Sequence, residues 1–144
     1  MKTEDYKTSI TANVTAHQAF DGICRVSEWW ATGFEGNARN LNDTFTVRFE
    51  DTFATFNIVE VVPDKKIVWL VTDCHLSWIR EKKEWKGTTV SWEISPAGSA
   101  TRIDMTHIGL VPEAVCYTDC KKGWDHFVTE SLFKLLTEGT GLPE

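Results

Sequence analysis

Residues 116–143 read CYTDCKKGWDHFVTESLFKLLTEGTGLP, and this stretch decides the fold. Six of its residues recur at steps of three and four, which places them on one face of a long helix. They are Trp124, Phe127, Val128, Ser131, Leu132 and Leu135. Gly139 and Gly141 are typical of a helix end. Because the chain before this helix has mostly strand patterns, the apolar face is predicted to cover a sheet.

Six segments before the helix have the apolar alternation of β-strands. Short turns join most of the neighbouring segments, as Pro96-Ala97-Gly98-Ser99 does, and this favours an antiparallel meander. Gly33, Gly36, Asn37 and Asn40 predict a loop ahead of the second strand. The predicted strands cover residues 8–14, 44–49, 54–62, 67–76, 88–95 and 100–110.

Two short helices are predicted after the first strand. Thr15 and Gln18 have the spacing of a capping box at the start of the first helix. Ser27 is expected to cap the second helix, which carries Trp29 and Trp30. In the C-terminal helix, Gly123 costs about 1 kcal/mol relative to alanine, so it indicates a kink, a new helix start or close packing.

Size and charge bound the functional class. The chain has 144 residues and fits one domain over 1–144. Its net charge of −6 argues against nucleic-acid binding. No apolar run reaches about 18 residues, so no membrane span is expected. The polar N-terminus lacks the apolar core of a signal peptide, and we expect a cytoplasmic protein.

The four cysteines are expected to be free and buried in a reducing compartment. They are Cys24, Cys74, Cys116 and Cys120. Cys116 and Cys120 lie four residues apart and can share a helix face. Since no CxxC motif is present, we predict neither a metal site nor a cofactor.

The sequence resembles the START-like (SRPBCC) superfamily with its helix-grip fold, and within it the AHSA-like branch, named after the activator of heat-shock-protein ATPase. The resemblance covers essentially the whole chain. The residues that carry it are Trp29-Trp30, the loop from Gly36 to Phe45, Gly123-Trp124-Asp125-His126-Phe127, Ser131-Leu132 and Gly139-Thr140-Gly141-Leu142-Pro143.

The resemblance implies an α+β fold in which a seven-stranded curved antiparallel sheet wraps around the long C-terminal helix. It also implies a hydrophobic cavity between helix and sheet, where members of the superfamily bind lipids, hormones or other apolar molecules. Some members are cyclases or dehydratases. The co-chaperones that named the branch carry an additional N-terminal domain. This chain begins almost directly at its first strand, so we do not expect it to activate a chaperone.

Twelve residues on the faces that point toward this cavity are predicted to contact a ligand. With seven Trp and eight Phe in the chain, aromatic rings are numerous enough to line a cavity as well as fill a core. Phe49 is expected to extend the wall. The predicted contacts are Phe45, Val47, Phe56, Ile58, Trp69, Trp92, Met105, His107, Trp124, Phe127, Val128 and Ser131.

Three of the polar residues allow two interpretations each. His107 shares a strand face with Met105 and needs a partner if it is buried, which can be a side chain, a water or a ligand. Glu60 shares a face with Ile58 by alternation, so it is either a proton carrier with a raised pKa or a solvent-facing residue. Ser131 either contacts a ligand or bonds back to a carbonyl one turn earlier.

The leading functional hypothesis is the binding of a small apolar molecule, lipid-like or polycyclic. An enzyme of the cyclase, dehydratase or hydrolase type is the first alternative, with His107 or Glu60 as acid or base, although no catalytic motif is present and catalytic residues stay unassigned. A chaperone-linked interaction module is the second, with an exposed apolar patch that includes Trp78 and Trp85. The same two tryptophans also suit a homodimer contact.

Overall fold

The structure is a computed structural model, and it describes residues 5–77, 82–112, 114 and 116–144. Seven antiparallel strands form one curved sheet in the order β1-β7-β6-β5-β4-β3-β2. This α+β helix-grip architecture confirms the predicted fold class. The strands are β1 (Tyr6–Ala12), β2 (Gly33–Gly36), β3 (Thr44–Phe49), β4 (Thr52–Val62), β5 (Lys66–His75), β6 (Thr89–Ala97) and β7 (Ala100–Ile108).

Each of the six predicted strands is present, and the seventh strand, β2, lies where a loop was predicted. Its two glycines allow the backbone of β2 to approach that of β3 closely, and they do not form a turn. A Cβ atom on Gly33 would lie 2.8 Å from the carbonyl oxygen of Arg48. Gly36 has a φ of +98°, and a Cβ there would collide with the carbonyl oxygen of Thr44. Glycine therefore permits this strand pairing instead of preventing it.

Two helices follow β1: α1 (Ala16–Cys24) and α2 (Val26–Trp29). The predicted capping box is confirmed, because Thr15 Oγ1 accepts from the Gln18 amide and Gln18 Oε1 accepts from the Thr15 amide. The predicted cap of α2 is wrong. Ser27 lies inside that helix, and Arg25 stands at the N-cap without a side-chain bond to the helix amides.

The C-terminal helix has 22 residues and changes its winding in the middle. It comprises α3 (Tyr117–Trp124), a π-helical segment (Asp125–Leu132) and α4 (Phe133–Glu138). At the start of the π segment, the Tyr6 hydroxyl of β1 donates a hydrogen bond to Asp125. The helix ends at Gly139, whose φ of +83° is the left-handed conformation that glycine adopts without strain.

Ser131 anchors the chain beyond the helix. Its hydroxyl donates to the carbonyl oxygen of Trp29 over 2.6 Å and accepts from the Leu142 amide over 2.7 Å. The prediction of a bond to a carbonyl one turn earlier is therefore wrong, because the hydroxyl instead satisfies the carbonyl at the end of α2. Gly141 fits against the same place, since a Cβ there would collide with the carbonyl oxygen of Glu28.

The cysteines divide into two kinds. Cys24 and Cys74 are free and buried, as expected. Cys116 and Cys120 are buried as well, but the expectation that they are free is wrong, because they form a disulfide across the first turn of α3. Their spacing of four residues brings the two Cα atoms to 5.6 Å, within the range that a disulfide spans.

Two features are absent from the described residues, a helix that could span a membrane and a cluster of metal-ligating side chains. No helix in this part of the chain has the length and apolarity needed to cross a bilayer. Likewise, no group of three or more histidine, cysteine, aspartate or glutamate side chains in it is arranged to hold a metal ion.

Candidate ligand-binding cavity

A cavity of about 390 Å³ lies between α3 and the neighbouring ends of β3, β4 and β5. Its interior is mostly aromatic and aliphatic, while its rim carries carboxylates and hydroxyls. Such a combination of apolar wall and few polar groups is typical of small-molecule sites. The lining residues are Trp30, Val47, Phe49, Glu50, Thr52, Ala54, Leu76, Ser77, Trp85, Asp119, Cys120, Gly123, Trp124, Phe127 and Glu144.

Three of the twelve predicted contact residues line this cavity: Val47, Trp124 and Phe127. Phe49, expected to extend the wall, lines it as well. Val47 lies on the concave face of β3, and Trp124 and Phe127 lie where α3 passes into the π segment. Two of the four helix residues and one strand residue predicted from the periodicity thus border this cavity.

The other nine predicted contacts lie in the core, outside this lining. Each is fully or almost fully buried, and ligand contact by them stays a prediction: Phe45, Phe56, Ile58, Trp69, Trp92, Met105, His107, Val128 and Ser131. Trp30 fills the space in front of several of them. Its ring stacks on Trp69 at 6.1 Å and contacts Phe56 at 5.6 Å and Trp124 at 4.9 Å between centroids.

Trp30 is one of the wall residues that the sequence analysis did not predict. It follows α2 directly, and its ring is 4 % exposed at the back of the cavity. The only sequence signal was the Trp29-Trp30 pair itself. A pattern of apolar residues cannot say which ring of such a pair enters the space beneath a sheet, because that depends on the direction in which α2 leaves α1.

His107 is buried and has a partner at each ring nitrogen. The Trp124 indole donates to Nδ1 over 3.1 Å, and Nε2 lies 2.8 Å from Thr88 Oγ1. Thr88 donates its own proton to the Trp85 carbonyl, so the imidazole is the neutral Nε2–H tautomer, donating to Thr88. Burial lowers the pKa of His107 to about 3. Of the partners foreseen for this residue, side chains are the ones present.

Glu60 is not among the apolar side chains that the alternation predicted. Its side chain is 49 % exposed and lies 3.5 Å from the Lys66 ammonium. The register of β4 against β5 shifts between Ile58 and Glu60, so a β-bulge turns Glu60 away from the face that carries Ile58. The alternation rule fails at this position because it assumes an unbroken strand.

Trp85 belongs to the cavity wall and not to an exposed patch. Its ring is 7 % exposed, stacks parallel to Trp124 at 5.9 Å and meets His107 edge-on at 4.7 Å. This contradicts the predicted surface patch for Trp85, whereas Trp78 lies outside the described residues. Among those described, the Trp85 indole nitrogen has no hydrogen-bond partner.

Gly123 borders the cavity without any steric need for glycine. It has a helical backbone, and a Cβ atom there would meet no atom within 4 Å. Of the three interpretations given above, close packing is therefore wrong. The missing side chain leaves space that belongs to the cavity.

A second recess, of about 460 Å³, lies between β2 and the segment that leads to β3. Polar groups dominate its wall, including Asn37, Arg39, Asn40 and Asp43. Asp43 already accepts hydrogen bonds from the amides of Arg39 and Asn40, so its carboxylate organises the loop. The aromatic cavity is accordingly the stronger candidate site.

Solved structures with the same fold include close matches in length. The chain matches the solution structure of the Aha1 dimer from Colwellia psychrerythraea with a TM-score of 0.77 and 20% identity, covering 98% of this chain and 100% of that one. It matches protein SSP2350 from Staphylococcus saprophyticus with a TM-score of 0.72 and 17% identity, covering 96% and 95%. These likenesses establish the fold.

A further structural match is DynU16, a protein of the dynemicin biosynthetic locus, with a TM-score of 0.69 and 15% identity. The match covers 96% of this chain and 49% of that one. No curated protein matches the sequence. The model of the family described as "Activator of Hsp90 ATPase homolog 1-like protein" matches residues 18–137, which is most of the chain. The chain therefore belongs to this family of Hsp90 ATPase activator homologue 1-like proteins.

Proposed function

We propose that the protein binds a small apolar molecule in the cavity beside α3. The cavity carries this proposal, because it holds about 390 Å³ of space walled in large part by aromatic rings. Apolar side chains that border this open space make no dispersion contacts on that side. A ligand with an aromatic or alicyclic body would restore those contacts.

Gly123 supports the proposal independently of the volume. A helix interior normally disfavours glycine by about 1 kcal/mol relative to alanine. Here neither a left-handed backbone nor a close neighbour compensates for this cost. Space for a ligand beside α3 would explain why glycine stands at this position.

Titration with the neutral probe N-phenyl-1-naphthylamine tests this function. Trp30, Trp85 and Trp124 line the cavity, so a bound probe is expected to quench tryptophan emission with a stoichiometry of one. Gly123→Leu fills the cavity and is expected to weaken binding by more than about tenfold, a loss of roughly 1.4 kcal/mol. The control is Thr118→Leu on the exposed, non-lining part of α3, which should bind normally.

The proposal fails if the probe does not bind, or if both leucine variants bind it as the parent protein does. Thermal unfolding of each variant checks that Gly123→Leu still folds. If it does not, Gly123→Ala provides a smaller obstruction at the same place. Mass spectrometry of the heated protein additionally shows whether an apolar compound has copurified.

The enzyme alternative gains no support from the two residues chosen for it. His107 is neutral, has a partner at both nitrogens and lies outside the cavity lining. Glu60 is paired with Lys66 and points away from the side of the sheet that carries Ile58. A reaction in this cavity would therefore have to use other residues.

A second copy of the chain is the protein partner that we propose to test. The structurally similar Colwellia protein is described as a dimer. This chain also exposes large apolar side chains near its C-terminal end, with Phe133 at 37 % and Leu142 at 44 %. Light scattering over a range of concentrations would distinguish a mass of 16.4 kDa from twice that value.

The cytoplasmic location expected from the sequence is likewise a proposal, to be checked by cell fractionation.

A further inference from the structure

The ionisable side chains that line the cavity are all carboxylates: Glu50, Asp119 and Glu144. Lysine, arginine and histidine are absent from the lining formed by the described residues. We propose that the ligand is an amphipathic cation, in which an apolar body of aromatic size carries an amine or quaternary ammonium group. This inference rests on the proposed function of the cavity and names the chemical class of its ligand.

The aromatic wall favours the same charge as the rim. Trp30, Trp85 and Trp124 all line the space, and the faces of indole rings attract cations through their quadrupole. Such attraction is strongest where the cation has lost its water. A neutral ligand gains only the apolar contact, whereas a cationic one gains both contributions.

Two of the three carboxylates lack a cationic partner of their own. Within the described part of the chain, neither Glu50 nor Asp119 takes part in an ion pair or a side-chain hydrogen bond. Glu144 lies 3.7 Å from His126 Nε2. All three carboxylates are exposed at the opening, where they would attract a positive ligand and repel a negative one.

The side chain of Lys82 lies next to the rim. The Lys82 ammonium donates to the carbonyl oxygen of Ser77 over 3.3 Å, and Ser77 lines the cavity. Lys82 itself is not part of the lining. The ionisable groups of the lining itself are therefore all negative at neutral pH, and the chain carries a net charge of −6.

Three probes of nearly equal size and different charge test the inference at pH 7: 2-naphthylmethylamine, 2-naphthalenemethanol and 2-naphthoate. Isothermal titration at low ionic strength is expected to show the amine binding about tenfold more tightly than the alcohol, and the carboxylate more weakly than both. The advantage of the amine should shrink as salt is added, because the rim charges are partly exposed.

Charge-neutral variants locate the effect. Glu50→Gln and Asp119→Asn are each expected to reduce the affinity for the amine by about threefold and to leave the affinity for the alcohol unchanged. Glu93→Gln is the matched control, since it removes the same charge from an exposed site on β6 outside the lining. It should alter neither affinity.

Equal binding of the amine and the alcohol would overturn the inference and leave the proposed function standing. So would an equal loss of amine binding in Glu93→Gln and Glu50→Gln, because that result would assign the effect to net charge. Failure of all three probes to bind would count against the cavity function itself, and the inference would fall with it.

Discussion

The indole of Trp124 and the imidazole of His107 are joined by a hydrogen bond of 3.1 Å between Nε1 and Nδ1. Trp124 also lines the cavity, so the bond connects the cavity wall on α3 to the strand β7. Because an indole nitrogen can only donate, Nδ1 must stay unprotonated for the bond to exist. The position of a wall residue is thus linked to the protonation state of a buried histidine.

Acid is therefore expected to destabilise the protein through His107. The folded state holds its pKa at about 3, below the ordinary value near 6.5, so the unfolded chain binds more protons between these two pH values. The histidine contribution to the free energy of unfolding is intact above about pH 6.5. It should fall by up to about 1.4 kcal/mol per pH unit toward pH 3.

Urea unfolding at pH 7, 6, 5 and 4 measures this slope. His107→Gln is the comparison, because glutamine can accept from Trp124 and donate to Thr88 without titrating. The acidic side chains titrate alike in both proteins, so the difference between the two slopes isolates His107. Identical slopes in parent and variant would contradict the assignment.

His107 also shows which features of the site could be predicted from the sequence and which could not. Strand alternation placed His107 on the inner face and required a partner for it, and both conclusions are confirmed. It could not identify Trp124 and Thr88 as the partners, because they come from a helix and a loop whose distances to β7 are set only by tertiary packing. The same reason explains why Trp30 was missed.

Two departures had local causes that no periodicity reveals. Glu60 faces solvent because one extra residue in β4 shifts the pairing with β5. The segment that begins with Gly33 pairs with β3 although glycine weakens strands in general, since the pairing requires an unusually close backbone. The long helix and the order of the major strands were predictable because their apolar patterns extend over many residues.

Ser131 provides a test of how the C-terminal tail is held. Ser131→Ala removes one donor to Trp29 and one acceptor for Leu142, leaving two backbone groups unpaired near the core. We expect a loss of about 2 kcal/mol in the free energy of unfolding, at roughly 1 kcal/mol for each bond. Chemical denaturation gives the value directly.

The matched control for Ser131 is Thr137→Ala on the same helix. The Thr137 hydroxyl only bonds back to the Phe133 carbonyl, at an exposed position. Its removal is expected to be neutral or slightly stabilising, because alanine is the better helix former. If both variants lost the same stability, Ser131 would have no special role in anchoring the tail.

Thiol counting tests the division of the four cysteines. The air-oxidised protein should show two thiols in denaturant, from Cys24 and Cys74, and four after reduction. In the folded protein both thiols should react slowly with Ellman's reagent at pH 8. Both are buried, and burial raises the pKa of Cys24 to about 11, so little thiolate is available.

Peptide mapping without reduction identifies the pair in that experiment. A fragment that joins Cys116 to Cys120 is expected, whereas a bridge that involves Cys74 would contradict the structure. The Cys116→Ser variant serves as the control. It should release the thiol of Cys120 and raise the count in denaturant from two to three.

Gly123 offers the sharpest separation of stability from ligand binding. Gly123→Ala adds a methyl group at a helical position where no neighbour lies within 4 Å, so it is expected to raise the free energy of unfolding by about 1 kcal/mol. The same methyl group enters the cavity and should weaken binding of N-phenyl-1-naphthylamine. Urea unfolding and emission titration measure the two effects on one sample.

If Gly123 is present because of the ligand, its substitution should raise the stability of the fold and lower the affinity for the ligand. A residue kept for the fold would lose stability on substitution, as Gly141→Ala should, since its Cβ would collide with the Glu28 carbonyl. A residue kept for the ligand gains stability and loses affinity. If Gly123→Ala were destabilising, the helix would need glycine for its own geometry at the start of the π segment, and the space beside it could no longer be attributed to a ligand.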